Sequence, residues 1–86
     1  GPCINIDTAC SSSLVCIDQA VKSLENGDCD IAFVGASSVF STPELFKLAE
    51  GAGILSKSGQ CYSFDTRADG FVPSEVVAGI VLTKHS

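Results

Sequence analysis

Apolar residues recur every three or four positions in the stretch that follows Ser13. The apolar positions of this stretch are Leu14, Ile17, Val21 and Leu24, with polar residues between them. This spacing places the apolar side chains on one face and predicts a helix of about three turns. The helix is expected to end at Asn26–Gly27, because glycine readily takes the left-handed conformation that closes many helices.

A short strand is predicted ahead of this helix. Ile4 and Ile6 alternate with Asn5 and lead into the sequence Asp-Thr-Ala at positions 7–9. Alternation of apolar and polar residues is typical of a strand, which we expect to end near Cys10.

Two further strands are predicted at Ile31–Val34 and from about Val76 to Thr83, where both alternating faces are apolar. Strands of this kind are usually covered on both sides. The helices predicted for 86 residues are too few to provide that cover. We therefore expect residues 1–86 to be an internal fragment of a larger domain, with no domain boundary inside it.

A second helix is predicted between these strands. Its start is indicated by Ser41-Thr42-Pro43-Glu44, which combines cap hydroxyls, a proline in the first turn and an acid near the positive end of the helix dipole. Its apolar residues are Leu45, Phe46, Leu48 and Ala49. The helix is expected to stop around Gly51 or Gly53.

Cys10 lies where the first predicted strand meets the first predicted helix, and three serines follow it. Serine hydroxyls are expected to accept hydrogen bonds from the unpaired N–H groups of the first helical turn. The positive end of the helix favours an anionic thiolate, and the N–H of Cys10 can face an attacked carbonyl. This setting favours a nucleophile for acyl transfer, whereas the alternative is a buried, inert thiol.

Composition excludes several classes of function. Hydrophobic residues make up 45% of the chain and charged residues 17%, so a disordered segment is not expected. The net charge is −5 and the basic residues are scattered, which argues against nucleic acid as a partner. The chain contains neither an apolar run long enough to span a bilayer nor a secretion signal, so no membrane association is expected.

The five cysteines are an odd number without a C-x-x-C pair, so neither a disulfide framework nor a metal site is predicted. Free thiols in a reducing environment fit a cytoplasmic protein. Cys16, Cys29 and Cys61 are interpreted as small buried hydrophobic residues. The only histidine, His85, lies in a polar tail and is expected to be a surface residue, so a catalytic partner for Cys10 must come from elsewhere.

One loop carries a concentration of charge. Asp65, Asp69 and Glu75 surround Arg67 between apolar strands. Unpaired charges would be costly there, so we expect Arg67 to pair with one or more of these acids and to fix the loop.

The sequence Asp-Thr-Ala-Cys-Ser-Ser-Ser-Leu at positions 7–14 resembles the active-site signature of β-ketoacyl synthases, specifically the ketosynthases of modular polyketide synthases. The resemblance continues in order and covers essentially the whole chain. Its further motifs are Asp28-Cys29-Asp30-Ile31-Ala32, Val34-Gly35, Ser41-Thr42-Pro43-Glu44, Gly53-Ile54-Leu55-Ser56, Gly59-Gln60-Cys61, Phe64-Asp65 and Ala68-Asp69-Gly70-Phe71-Val72.

The resemblance implies an α/β protein with the thiolase-like αβαβα layered fold, of which this chain is a fragment of the first, N-terminal half. It implies that Cys10 carries the acyl chain as a thioester, delivered on the phosphopantetheine arm of an acyl carrier protein. A malonyl-type unit then decarboxylates and attacks that thioester in a Claisen condensation. Members of the family are homodimers, bind no cofactor directly and use two histidines from the second half, so the fragment alone is expected to be inactive.

The chain departs from the family pattern at two places. Ser74-Glu75-Val76 stands where the family usually has Gly-Glu-Gly, and Ala36-Ser37-Ser38 replaces a glycine-rich sequence. These departures leave open a non-elongating ketosynthase that only transfers acyl chains. A catalytically degenerate scaffold or dimerisation domain and a cysteine-rich binding module are the alternatives from other classes.

Overall fold

The computed structural model describes residues 1–40 and 43–85. Its elements, in chain order, are a 3-10 helix at Ala9–Ser11, helix α1 at Ser12–Glu25, strand β1 at Ile31–Ser38, helix α2 at Glu44–Gly51 and strand β2 at Val76–Thr83. The chain divides into two compact units, one formed by Gly1–Ser37 with the chain from Val77 onward and the other by Ser38–Val76. None of the described helices combines the length and apolar character needed to cross a membrane.

Helix α1 confirms the predicted amphipathic helix. Its C-terminus is closed by two hydrogen bonds, from the Gly27 N–H to the Leu24 carbonyl at 3.2 Å and from the Asp28 N–H to the Ser23 carbonyl at 2.9 Å. Gly27 has a φ of +77°, so the pair of bonds forms a Schellman motif around a left-handed glycine. The predicted end of the helix is therefore confirmed.

Strands β1 and β2 pair as a two-stranded antiparallel sheet in the first unit. Val76–Thr83 confirms the last predicted strand, whereas β1 extends beyond the predicted Ile31–Val34 to Ser38. The extension has a clear physical reason, because Gly35 lies beside the carbonyl of Ala78 in the neighbouring strand. Pairing with β2 keeps these small residues extended where their own propensity would favour a turn.

The predicted strand around Ile4 and Ile6 is wrong, since the structure assigns no regular element to residues 1–8. A strand requires a neighbour for its backbone hydrogen bonds. Among the described residues, the first eight form no backbone hydrogen bonds to another segment. Alternation alone indicated a strand, but the described part of the chain contains no neighbour that pairs with it.

The core of the first unit is small. Within the described residues, the buried apolar side chains are Leu24 on α1 and Val34 on β1, with exposed fractions of 5% and 8%. By contrast, Val77 and Val81 on β2 are 78% and 65% exposed. The cover that the sequence predicts for both faces of these strands is therefore not provided by the described residues of this chain.

The second unit contains α2 and a long loop. Helix α2 begins at Glu44, with Pro43 at its N-cap position, and ends at Gly51 as predicted. The predicted cap hydroxyls of Ser41 and Thr42 lie outside the described residues, as does the side chain of Leu45. Leu55 and Phe71 form an isolated parallel bridge that joins the two ends of the loop.

Candidate functional site

Cys10 occupies the middle of the 3-10 helix that leads directly into α1, and its side chain is exposed. The sequence left open a buried, inert thiol at this position. The described residues of this chain do not bury it.

The residue before Cys10 has an unusual backbone conformation. Ala9 has a φ of +59°, which lies in the left-handed region that residues with a Cβ rarely adopt. The Asp7 carboxylate accepts a hydrogen bond from the Ala9 N–H at 3.0 Å. The chain thus turns sharply at Ala9, and this turn carries it from the irregular N-terminal segment into the helix.

The serine hydroxyls hold this turn rather than capping α1. Ser12 Oγ accepts a hydrogen bond from the Thr8 N–H at 2.8 Å and donates one to the Ala9 carbonyl at 2.7 Å. Ser11 Oγ donates to the Thr8 carbonyl at 3.0 Å and lies 2.7 Å from Thr8 Oγ1.

The predicted role of the serines as acceptors for the first helical turn is therefore wrong. The N-cap residue Ser11 forms no side-chain cap hydrogen bond within the described part of the chain. The physical reason is that the hydroxyls bond instead to the Thr8 N–H, the Thr8 carbonyl and the Ala9 carbonyl, which also accepts a hydrogen bond from the Ser12 N–H. None of these bonds involves Cys10.

Two cavities lie in the first unit, and Cys10 lines neither of them. One, of about 380 Å³, lies between the N-terminal segment, α1 and β1, and Cys3, Cys16 and Cys29 are among its lining residues. The other, of about 580 Å³, is lined by Asp7, Ser12 and residues of both strands. The Cys10 thiol therefore lies outside both of these cavities.

The remaining cysteines differ from the prediction at one position. Cys16 and Cys29 are half-buried, in keeping with an apolar role, but Cys61 is exposed, as is Cys3. The Sγ of Cys61 accepts a hydrogen bond from the Val72 N–H at 3.3 Å, so a polar contact replaces the predicted burial. Among the described residues, no group of three or more His, Cys, Asp or Glu side chains is arranged to bind a metal ion.

Arg67 pairs with one of the three nearby acids. Its Nε and Nη2 donate to the two carboxylate oxygens of Asp65 at 3.1 and 3.2 Å, and its N–H donates to the same carboxylate at 2.8 Å. These hydrogen bonds, led by those of the guanidinium, lower the pKa of Asp65. The guanidinium also lies 4.2 Å from the ring centroid of Tyr62, a cation–π contact.

The other two acids have different partners. Asp69 accepts hydrogen bonds from the hydroxyl of Ser56 at 2.7 Å, the hydroxyl of Ser58 at 3.0 Å and the N–H of Ser58 at 3.0 Å. The Ser56 bond is the main cause of a lowered pKa of Asp69. Glu75 accepts a hydrogen bond from the Phe40 N–H at 2.7 Å. Within the described residues, this loop is therefore held by three separate contacts and not by a single cluster around Arg67.

His85 is exposed in the polar tail, as the sequence predicts. The sequence did not predict the turn at Ala9 or the two hydrogen bonds of the Ser12 hydroxyl. A signal for them was present in Asp-Thr-Ala, because aspartate and threonine commonly bond to the backbone of a following turn. The positive φ of Ala9 had no sequence signal, since alanine does not favour it.

Comparison with known proteins identifies the family of this chain. Residues 1–86 match the family described as beta-ketoacyl synthase, N-terminal domain. A non-reducing polyketide synthase of Hypocrea jecorina is 43% identical over 86 residues, which are 100% of this chain and 3% of that protein.

Solved ketosynthases have the same local structure. The ketosynthase from module 6 of the bacillaene synthase of Bacillus subtilis is 49% identical and superposes with a TM-score of 0.94, covering 98% of this chain and 15% of that one. A cysteine-to-serine mutant of the same ketosynthase superposes with the same TM-score of 0.94. An oxazolomycin ketosynthase domain from Streptomyces albus is 38% identical, with a TM-score of 0.92 over 98% of this chain and 15% of that one.

The chain spans a small part of each relative, and the match is continuous through all of its described elements. The agreement of sequence and backbone confirms the α/β, thiolase-like fold that the signature around Cys10 implies. The chain belongs to the β-ketoacyl synthase family and is a ketosynthase segment of a polyketide synthase.

Proposed function

We propose that this segment is part of a condensing domain in which Cys10 carries the acyl chain during polyketide synthesis. The observation that carries the proposal is the exposed thiol of Cys10 at the entry to α1, in a chain that belongs to the ketosynthase family. Nucleophilic cysteines commonly lie at helix N-termini, where the helix dipole favours the thiolate.

In the proposed first step, the Cys10 thiolate attacks the carbonyl carbon of an acyl thioester on the phosphopantetheine arm of an acyl carrier protein. A new carbon–sulfur bond forms to Cys10, and the bond to the carrier sulfur breaks. The carrier leaves as a thiolate and takes up the proton that Cys10 lost. The N–H of Cys10 is a candidate donor to the oxyanion that forms during the attack.

In the second step, a malonyl-type unit on the carrier loses carbon dioxide, and its carbanion attacks the acyl carbonyl. A carbon–carbon bond forms, the bond to Cys10 breaks, and the free thiolate is regenerated. No metal or cofactor takes part in these two proposed steps. The only histidine of the chain is exposed in its polar tail, so the histidines that assist decarboxylation in this family would come from the rest of the domain.

The partners proposed for the intact domain are an acyl carrier protein and a second copy of the same domain, in the cytoplasm. The chain has five basic residues, dispersed along the sequence, and a net charge of −5. An acidic carrier would therefore dock mainly on basic residues outside this segment.

The test is intact-mass spectrometry of the full-length protein after incubation with an acyl N-acetylcysteamine thioester, followed by peptide mapping. We expect one acyl adduct on the peptide that contains Cys10, and its loss in Cys10→Ala. Cys3→Ala is the matched control because Cys3 is also exposed, and this variant should keep the adduct. An adduct that survives Cys10→Ala would refute the proposed role.

The same preparation separates elongation from simple transfer. Addition of a malonyl-loaded carrier protein should release the acyl group from Cys10 and extend the product by two carbons, with loss of carbon dioxide. An adduct that forms but passes unextended to a carrier would instead support the non-elongating alternative. Absence of any adduct would support a degenerate scaffold.

A further inference from the structure

The turn before Cys10 depends on a backbone conformation that its sequence does not favour. Ala9 has a φ of +59°, and its Cβ makes this left-handed conformation unfavourable relative to the right-handed one. Such conformations persist only where the surrounding structure holds them in place. The contacts around Ala9 therefore determine where Cys10 points.

Ser12 provides a contact on both sides of this residue. Its hydroxyl accepts a hydrogen bond from the Thr8 N–H at 2.8 Å and donates one to the Ala9 carbonyl at 2.7 Å. The hydroxyl thus links the peptide unit before Thr8 to the one after Ala9, whose carbonyl also accepts a hydrogen bond from the Ser12 N–H. Asp7 and Ser11 differ from Ser12 in that each bonds to the backbone on one side only.

We propose that Ser12 is a positioning residue for the acyl-transfer reaction, because its bridging hydroxyl keeps Ala9 left-handed and Cys10 exposed in front of α1. This inference rests on the proposed function of Cys10. Ser12 does not touch the thiol, and it acts through the backbone of Thr8 and Ala9. A half-buried side chain at the first residue of α1 is well placed for this, since the helix anchors it.

Loss of the hydroxyl should allow Ala9 to relax toward right-handed conformations and should shift the thiol and N–H of Cys10. A displacement of this kind reduces the rate of a reaction that depends on precise alignment. We expect Ser12→Ala to lower the rate of acyl transfer to Cys10 by about tenfold or more. Ser12→Thr retains the hydroxyl and should restore most of the rate.

The experiment compares Ser12→Ala, Ser12→Thr and Ser13→Ala in the full-length protein. Ser13 is the matched control, because it lies next to Ser12 on α1, is exposed and forms no side-chain hydrogen bond within the described residues. Two rates are measured: acylation of Cys10 by an acyl N-acetylcysteamine thioester, and alkylation of Cys10 by iodoacetamide. Circular dichroism and the thermal midpoint report on folding.

The proposal is supported if Ser12→Ala folds but acylation and alkylation of Cys10 both become slower, while both rates stay near the wild-type values in Ser12→Thr and Ser13→Ala. It is overturned if Ser12→Ala keeps the wild-type alkylation rate, or if Ser13→Ala falls equally. If Ser12→Ala does not fold, Ser12→Cys is tested instead. The thiol forms weaker hydrogen bonds than a hydroxyl, so this variant should lower both rates. Wild-type rates in Ser12→Cys would overturn the proposal.

Failure of the proposed function gives a different result. In that case the wild-type protein is not acylated at Cys10, but alkylation still reports on the position of the thiol. A hydroxyl-dependent alkylation rate without acylation would support the role of Ser12 and refute acyl transfer. Normal acylation in Ser12→Ala would refute the role of Ser12 and leave acyl transfer intact.

Discussion

At the scale of single residues, the acids of the loop from Phe64 to Glu75 each bond to a different partner. Asp65 accepts hydrogen bonds from Arg67, and Asp69 accepts them from Ser56 and Ser58. Glu75 accepts a hydrogen bond from the N–H of Phe40. Asp65 precedes Arg67 by two residues, and from that side its carboxylate bonds to both the N–H and the side chain of Arg67, whereas Asp69 and Glu75 bond to donors of other segments.

The lowered pKa of Asp69 predicts a pH dependence of stability. Hydrogen bonds from Ser56 and Ser58 hold the pKa in the folded protein below its ordinary value of 3.8, although partial desolvation opposes them. The folded state therefore binds this proton more weakly than the unfolded state. The stabilising contribution is present above pH 3.8 and is lost as the pH falls through the folded pKa.

We expect Asp69→Asn to lower the urea midpoint of the full-length protein near neutral pH and to reduce its further decline below about pH 4. Urea denaturation across this pH range measures both effects. Asp28→Asn is the control, since the Asp28 carboxylate forms no hydrogen bond within the part of the chain described. An equal pH dependence in Asp69→Asn and the wild type would contradict the prediction.

At the scale of elements, glycine determines where the chain can turn, but two of the glycines do so for different reasons. Gly27 has a φ of +77°, and a Cβ added there would meet no atom within 4 Å, so only its backbone conformation requires glycine. Gly70 has a φ of +138°, and a Cβ there would lie 2.5 Å from the backbone carbon of Leu55. Gly70 therefore permits the close approach of the two segments that meet at the Leu55–Phe71 bridge.

Replacement of these glycines should separate conformational strain from steric overlap. We expect Gly27→Ala to destabilise the full-length protein by about 1–2 kcal/mol, the cost of a left-handed alanine. Gly70→Ala should cost about 3 kcal/mol or more, because backbone atoms that cannot rotate away must also move. Urea denaturation of both variants measures the difference, and equal losses would show that the overlap at Gly70 relaxes without cost.

At the scale of the whole molecule, the chain leaves many large apolar side chains exposed. Exposed side chains include Phe33 at 73% and Val77 at 78%, while Leu24 and Val34 are the buried apolar residues of the described structure. A core this small is not expected to offset the conformational entropy lost on folding.

We predict that the 86-residue polypeptide by itself associates, binds a hydrophobic dye and unfolds without a cooperative transition. Size-exclusion chromatography, dye fluorescence and urea denaturation measure these properties. Val81→Lys, at an exposed position, should reduce association, whereas Val34→Lys, at a buried position, should remove the remaining structure. A monomeric polypeptide with a sharp urea transition would contradict this prediction.

Local features of the structure were the most predictable. The apolar spacing and Asn26–Gly27 predicted α1 and its end, and the apolar run at Val76–Thr83 predicted β2. Helices and apolar strands depend largely on periodicity and on end signals within the same short stretch. The extension of β1 to Ser38 was not predictable in this way, because the bonds that maintain it come from β2, which lies far along the chain.

The candidate site likewise has features that the sequence predicts and features that it does not. The sequence by itself determined the family signature, the nucleophile candidate Cys10 and its place at the entry to a helix, because these depend on residue identity and local order. Only the tertiary structure decided that Cys10 is exposed, that Ala9 turns left-handed and that Ser12 bonds to both sides of it. A hydroxyl has several possible partners of similar energy, and the folded backbone alone selects among them.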